Sequence, residues 1–426
     1  MMGDFVFPSY GADSLLAVAP GAAAALGVAV TGPAVDFPPA QRVVIVLCDG
    51  LGWHNLAARK AHAPFLRRRL AEMTMLTTTF PSTTAAAIPS FGTSSPPGMT
   101  GFVGYTARNP DNGALVNLVP WTQNLDPTIV ATPVGNSQAP KFTISPQDFQ
   151  HEPQVFQALR TAGVKVTCVG GAKFAGSGLS LAAFGKTDYA VADQPTDRVD
   201  AILRLLRQAD QLIYLYWGDL DKVGHQLGPD SNEWAGALTD FDAAFARLIA
   251  GVPRDTLVIL TADHGQVTAD PNQQIDVALT PELAANVKLI AGEARAVHVY
   301  LEPDVDPAAV AARWQSFLGD RAQVWTRQQA IELGLFGGEP ADLADGHADL
   351  ADGHDSVVGQ NSLPGPARGW ARPEVAPWIG DLVVAPTGQI TIVDSRTQTA
   401  NSLTLAGVHG SLTPEEMQIP LLAILT

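Results

Sequence analysis

Four short runs carry almost no polar side chain: RVVIVLCD (42–49), VKVTCVG (164–170), QLIYLYWG (211–218) and DTLVILTAD (255–263). A strand with one wet face alternates apolar and polar residues, so runs like these must be covered on both faces. Helical patterns lie between them: QVFQALRTAG, closed by a glycine, then TDRVDAILRLLRQAD and EWAGALTDFDAAFARLIAG. Strands of this kind alternating with helices predict an α/β sandwich around a largely parallel sheet.

The texture changes after residue 274. RAVHVYLE alternates as a strand, DPAAVAARWQSFLG reads as a helix opened by Asp-Pro, AQVWT as a strand and RQQAIELGLFG as a helix. This predicts a small inserted α/β cap over 275–340, with 1–274 and 355–426 forming the core. Between them ADLADGHADLADGH (341–354) is a perfect seven-residue tandem repeat. Asp-Gly-His is metal-ligand chemistry, but the composition is that of a solvated surface loop. GDLVVAP and QITIVDS (380–395) return to strand texture, and the closing PLLAIL suits one more buried strand.

The bulk numbers limit the partners. A formal charge of −16 over 426 residues repels nucleic-acid polymers and anionic membranes. It does not repel a small phosphate ester held at a local cluster of cations. Cys48 and Cys168, the two cysteines, sit inside apolar runs and read as buried thiols. The uncharged segment from Ser14 to Val35 contains Pro20, Gly21, Gly27, Gly32 and Pro33, and no Lys or Arg precedes it. Those features fit neither a signal peptide nor a spanning helix, so a short helix over 13–27 and a cytoplasmic protein are expected.

Three of the apolar runs end in acid. Asp49 follows VVIVLC, Asp263 follows TLVILTA, and Asp219 and Asp221 follow LIYLYW. In open α/β sheets the site lies beyond the carboxyl ends of the strands, and carboxylates gathered there repel unless cations hold them. His264 adjoins Asp263, His225 stands four residues after Asp221, and His409 lies in GVHGS. Asp221 and His225 share a face of a helical turn, although Gly224 equally allows a tight loop. Mixed carboxylate and imidazole ligands suit zinc or a similar divalent ion.

The set LCDG, TTTFPSTTAAA…PPGMTG, DLDKVGHQLGP, TADHG and GVHGSLTPEEM, in this order, resembles the alkaline phosphatase superfamily, and within it the nucleotide pyrophosphatase/phosphodiesterase branch. The resemblance covers about residues 42–426 and implies an alkaline-phosphatase-like sandwich. It also implies two metal ions, most naturally zinc. Asp49, Asp263, His264 and a nucleophilic hydroxyl would hold one, and Asp221, His225 and His409 the other. Asp219 would be a bystander, and the remaining histidines would be packing or surface residues.

The nucleophile comes from TTTFPSTTAAAIPSFG (77–92), which places six hydroxyls in its first eight positions. Read alone, this is a strand, a turn and a helix capped by Ser82 or Thr83. In the superfamily the nucleophile stands ten residues before a glycine, and Ser94 occupies that place here, so the resemblance implies Thr84, with Thr83 and Thr79 as alternatives. Tyr105 stands where the family often has a phosphate-binding asparagine, and Pro89 interrupts the proposed nucleophile helix.

The implied reaction is hydrolysis of a small phosphodiester or pyrophosphate through a phospho-threonine. A phosphonate hydrolase or a phosphomonoesterase would use the same residues. A non-catalytic binding protein on this scaffold would be expected to have lost ligands, and all are present. The motifs contain no Arg or Lys apart from Lys222, which favours a singly charged diester over a dianion, unless a residue such as Arg295 enters from the cap.

The repeat is expected to lie outside the active site. Deleting one seven-residue copy should leave turnover and bound metal unchanged. A large fall in either, by rate assay or elemental analysis, would make the repeat part of the site.

Overall fold

The computed structural model describes residues 5–124, 140–207, 211–338 and 369–426. The tandem repeat at 341–354 lies outside the described residues. The strands used below are β1 (Arg42–Cys48), β2 (Thr74–Thr77), β3 (Val166–Gly170), β4 (Asp188–Val191), β5 (Leu212–Trp217), β6 (Thr256–Thr261), β7 (Val287–Glu293), β8 (Ala296–Leu301), β9 (Ala322–Thr326), β10 (Leu382–Pro386) and β11 (Gln418–Leu425).

The apolar runs are the middle of a seven-stranded sheet ordered β2-β11-β6-β1-β5-β3-β4. From β6 to β4 all neighbours run parallel, while β11 is antiparallel to both β6 and β2. Register matters for the site. Cys48 pairs with Trp217 and Leu47 with Thr261, so β1, β5 and β6 stop within a residue or so of one another. The acidic residues that follow them therefore emerge on one edge.

Five helices bear on the argument: α1 (Val18–Ala25), α2 (Trp53–Arg59), α3 (Thr84–Thr93), α4 (Asp219–Leu227) and α5 (Asn232–Gly251). In α5 the buried residues Trp234, Leu238, Phe241, Phe245 and Leu248 fall at steps of three and four, the spacing of one helix face. Ser231 starts it by accepting the Trp234 N–H at 3.1 Å. The uncharged early segment forms a 3-10 turn, Leu15–Ala17, and then α1, which is shorter than the expected 13–27 helix and almost wholly buried. Among the described residues no helix is long and apolar enough to cross a membrane.

Helix α3 runs through Pro89 and ends at Ser94, whose φ of 56° is left-handed. That conformation explains why a glycine is usual at this position. Phe91 anchors the helix by packing on Phe156, Phe184 and Tyr214, with ring centroids 5.6–6.2 Å away.

The cap is a four-stranded antiparallel sheet ordered β7-β8-β10-β9. Its fourth strand comes from Leu382–Pro386, and Ile390 and Ile392 complete its apolar cluster around Val297, Val299 and Trp314. The cap thus extends beyond the expected 275–340. Strand pairing across such a sequence separation leaves no mark in the local pattern.

His298 fastens cap to core: its Nε2 donates to Val103 O at 2.8 Å, and its Nδ1 accepts the Gly380 N–H at 2.9 Å. Burial keeps this imidazole neutral and lowers its pKa to about 4. The folded pKa is depressed, so the stabilisation is complete above the unfolded value near 6.5 and is lost as pH falls towards 4. The full linkage is about 3 kcal/mol. Urea midpoints from pH 7 to 4.5 should therefore fall more steeply for the wild type than for His298→Gln, and equal slopes would refute the assignment.

Candidate metal centre and nucleophile

Beyond the common strand edge, Asp49 leaves β1, Asp263 and His264 leave β6, and α4 begins directly after β5. The expected i,i+4 pair is helical: Asp221 and His225 both lie on α4, with His225 Nε2 3.3 Å from Asp221 Oδ1. His409 arrives on a loop from the C-terminal part, its Nε2 3.4 Å from His225 Nε2 and 3.8 Å from Asp221 Oδ1. His264 Nε2 lies 3.3 Å from Asp49 Oδ1 and 3.7 Å from Asp263 Oδ2. The His264 and His409 rings stack at 3.6 Å between centroids. Ligand atoms of Asp49, Asp263 and His264 fall within 4.8 Å of one another, and so do those of Asp221, His264 and His409.

Each imidazole is locked from behind. Nδ1 of His225 bonds Gly407 O at 2.8 Å, that of His264 bonds Gly265 O at 3.0 Å, and that of His409 bonds Ser82 O at 2.9 Å. A carbonyl accepts only, so each Nδ1 carries a proton and each Nε2 turns towards the cluster. Gly265 is required by a close approach, since a Cβ there would meet Glu415 O at 1.9 Å.

Electrostatically the cluster is strained. Burial and the charge of Asp49 push Asp263 up from the ordinary carboxylate range. Burial opposes protonation of His264, but the combined field of Asp263, Asp49 and Asp221 outweighs it and raises that pKa. Burial and the neighbouring imidazoles hold His409 low. Asp263 Oδ2 is fully buried with no hydrogen-bond partner. An unpaired carboxylate oxygen beside inward-facing Nε2 atoms is a donor set that fits a divalent cation.

Of the three candidate hydroxyls, Thr84 Oγ1 reaches the cluster, at 3.2 Å from His264 Nε2 and 3.4 Å from Asp49 Oδ1. It sits at the first position of α3. Thr83 takes the N-cap position but its side chain makes no capping bond; it stands beside Glu293. Ser82 is no cap either, since it donates to Ser411 O at 2.7 Å. Thr79 donates to Pro81 O at 2.9 Å.

Other expected residues lie further out. Tyr105 is half-buried; its N–H donates to Glu293 at 2.7 Å and its hydroxyl stands beside Asn117, with no hydrogen bond to the six carboxylates and imidazoles. Asp219 pairs with Arg198, away from the cluster. Arg295 does not enter the site: it is wholly buried, bonded to Glu416 at 2.6 and 3.1 Å and to the carbonyls of Thr387 and Ile390.

Sequence reasoning missed four residues here. Tyr216 donates to Asp49 Oδ2, Gln266 donates to Asp221 Oδ1, Asn55 grips the Gln266 backbone, and Glu293 reaches in from the cap. Burial raises the Glu293 carboxyl to about 7. Tyr216 and Gln266 carried a usable signal, because each is a polar side chain at the exit of an apolar run.

The parallel sheet, the edge-mounted carboxylates and the inward imidazoles together place the chain in the alkaline phosphatase superfamily, with a donor set that fits a divalent metal ion. More particularly, the chain belongs to the type I phosphodiesterase/nucleotide pyrophosphatase family, whose model matches residues 43–412.

Phosphopentomutase of Clostridioides difficile is 31% identical over 118 residues, 27% of this chain and 28% of that protein. Human ectonucleotide pyrophosphatase/phosphodiesterase family member 5 is 32% identical over 88 residues, 19% of this chain and 18% of that protein. The matched stretches thus span less than a third of either relative's length. Among solved structures, an inactive threonine-to-alanine variant of murine ectonucleotide pyrophosphatase/phosphodiesterase 5 in complex with AMP has a TM-score of 0.61 at 15% identity, covering 90% of this chain and 87% of that one. Phosphonoacetate hydrolase of Sinorhizobium meliloti with phosphonoformate has a TM-score of 0.63 at 18% identity, covering 92% of each chain.

The unpaired Asp263 oxygen has a measurable consequence. Asp263→Asn removes a buried charge that desolvation and Asp49 disfavour, so its melting temperature in EDTA should exceed that of the wild type. The same variant should bind less divalent metal by elemental analysis. A lower melting temperature in EDTA would show that the carboxylate is stabilised within the protein itself.

Proposed function

We propose that the chain is a two-metal hydrolase that cleaves small phosphodiesters or pyrophosphates, of the nucleotide kind, through a phosphorylated Thr84. The observation that carries this reading is the placement of Thr84 Oγ1 at a helix N-terminus and within 3.4 Å of both Asp49 and His264. Asp49, Asp263, His264 and Thr84 would hold one divalent ion, and Asp221, His225 and His409 the other. Zinc is the ion this mixture of oxygen and nitrogen ligands suits best. When bound, the pair supplies the positive charge that favours an alkoxide nucleophile and a departing oxyanion.

The protein's own residues do the rest. Thr84 Oγ1 forms the bond to phosphorus as the bond to the leaving alcohol breaks, and water later hydrolyses the phospho-threonine. The N-terminus of α3 directs positive partial charge to where the phosphoryl oxygens sit. The Tyr105 hydroxyl, beside Asn117, is a neutral donor for one of those oxygens.

Charge supports the diester. The ion pairs of Asp49, Asp221 and Asp263 are with imidazoles, Arg295 is bound to Glu416, and Lys222 is exposed. A phosphate dianion would ask for a guanidinium clamp.

Rates on bis-p-nitrophenyl phosphate, p-nitrophenyl phosphate and phosphonoacetate test the substrate class, and the diester should have the largest kcat/KM. Thr84→Ala should lower turnover by about three orders of magnitude or more while divalent ions still bind. Thr83→Ala and Thr79→Ala should retain most activity. Phospho-enzyme mapped to Thr83 or Thr79 would overturn the choice of nucleophile, and the absence of turnover on all three substrates would overturn the enzyme reading.

A further inference from the structure

Gln266, two residues after His264, is 1% exposed, and its side chain turns towards the other half of the cluster. Its Nε2 lies 2.5 Å from Asp221 Oδ1 and 3.3 Å from Asp221 O. A carboxylate accepts only, which fixes the amide with its nitrogen on Asp221. The other end, Oε1, is buried without a hydrogen-bond partner. It lies against Gly224 of α4, where a Cβ would come within 1.8 Å of it. A buried unpaired carbonyl is destabilising. A methionine fills the same volume without that penalty, so packing alone does not account for a glutamine here.

The backbone of Gln266 is held in turn. Asn55, on α2 directly after the loop that carries Asp49, donates from Nδ2 to Gln266 O at 3.0 Å and accepts the Gln266 N–H on Oδ1 at 3.1 Å. Asp221 Oδ1 is the atom that also faces His225 Nε2 at 3.3 Å and His409 Nε2 at 3.8 Å. The chain Asn55–Gln266–Asp221 therefore joins the segments bearing Asp49 and His264 to the carboxylate of the opposite half.

We infer that Gln266 is a positioning residue that aims the Asp221 carboxylate at a divalent ion shared with His225 and His409, and that Asn55 holds Gln266 in place for that task. The inference rests on the two-metal reading of the cluster. It predicts a split between the two ions, because the half formed by Asp49, Asp263 and His264 does not use the Gln266 amide.

The test is calorimetric titration of Zn²⁺ into metal-free full-length protein. The binding phase abolished by His409→Ala identifies the Asp221 half. Gln266→Met should weaken that phase by about 10–100-fold and leave the other unchanged. Asn55→Ala should weaken the same phase by a smaller factor, and it stands in if Gln266→Met fails to fold. Equal affinities in wild type and variants, even with lowered unfolding midpoints, would make Gln266 a structural residue and overturn this inference alone. A wild-type protein that takes up no Zn²⁺ would overturn the two-metal reading and this inference with it.

Discussion

Three aspartates at the ends of adjacent strands repel one another, and the rest of the site is arranged around that repulsion. Two of them, Asp49 and Asp263, are almost or wholly buried, where water screens least. Among the described residues the ion pairs of these aspartates are with imidazoles, and the field of the aspartates is strong enough to raise the His264 pKa against its own burial. The fold could have relieved this by pairing one aspartate with an arginine, as it does at Asp219. It instead fixes three Nδ1 atoms on backbone carbonyls and leaves three Nε2 atoms facing the carboxylates. Such an arrangement is a donor set that fits a divalent cation.

That constraint explains which features of the site were legible in the sequence. An acid at the end of a wholly apolar run is conspicuous, and parallel register brings such ends together, so Asp49, Asp221 and Asp263 could be read as neighbours. Asp221 and His225 could be read as a pair because helical spacing is local. The proposed nucleophile could not be fixed locally. Thr79, Thr83 and Thr84 fit the same strand-turn-helix text, and what separates them is direction: towards Pro81 O, towards Glu293, or towards His264.

The remainder was hidden for reasons of topology. Strand β10 joins the cap from across the 341–354 repeat, and β11 runs antiparallel into a sheet that otherwise reads as parallel. Neither pairing has a local signature. Glu293 was equally hidden, because it lies at the end of a cap strand and gains its role by reaching the Tyr105 backbone. Thr83 does take the N-cap position, but neither hydroxyl caps the helix, because each has a tertiary partner: Ser82 bonds Ser411, and Thr83 faces the cap.

Arg295 shows how construction and selectivity are linked. Its guanidinium is fully buried and bonded to both Glu416 oxygens and to two carbonyls. Glu416 also accepts the Ser411 N–H at 3.0 Å and the Thr413 hydroxyl at 2.7 Å. This network therefore ties the tip of the β7–β8 hairpin to the loop that follows His409. With every guanidinium nitrogen engaged, the pair is stable where a half-satisfied buried charge would not be. The same saturation keeps the Arg295 guanidinium bound to Glu416 and the two carbonyls rather than free for another anion. On the proposed function, a phosphoryl group entering this site would meet a helix N-terminus, neutral hydroxyls and whatever charge the Asp/His cluster holds. On that same reading, selection against a dianion would follow from the way the cap is fastened to the core.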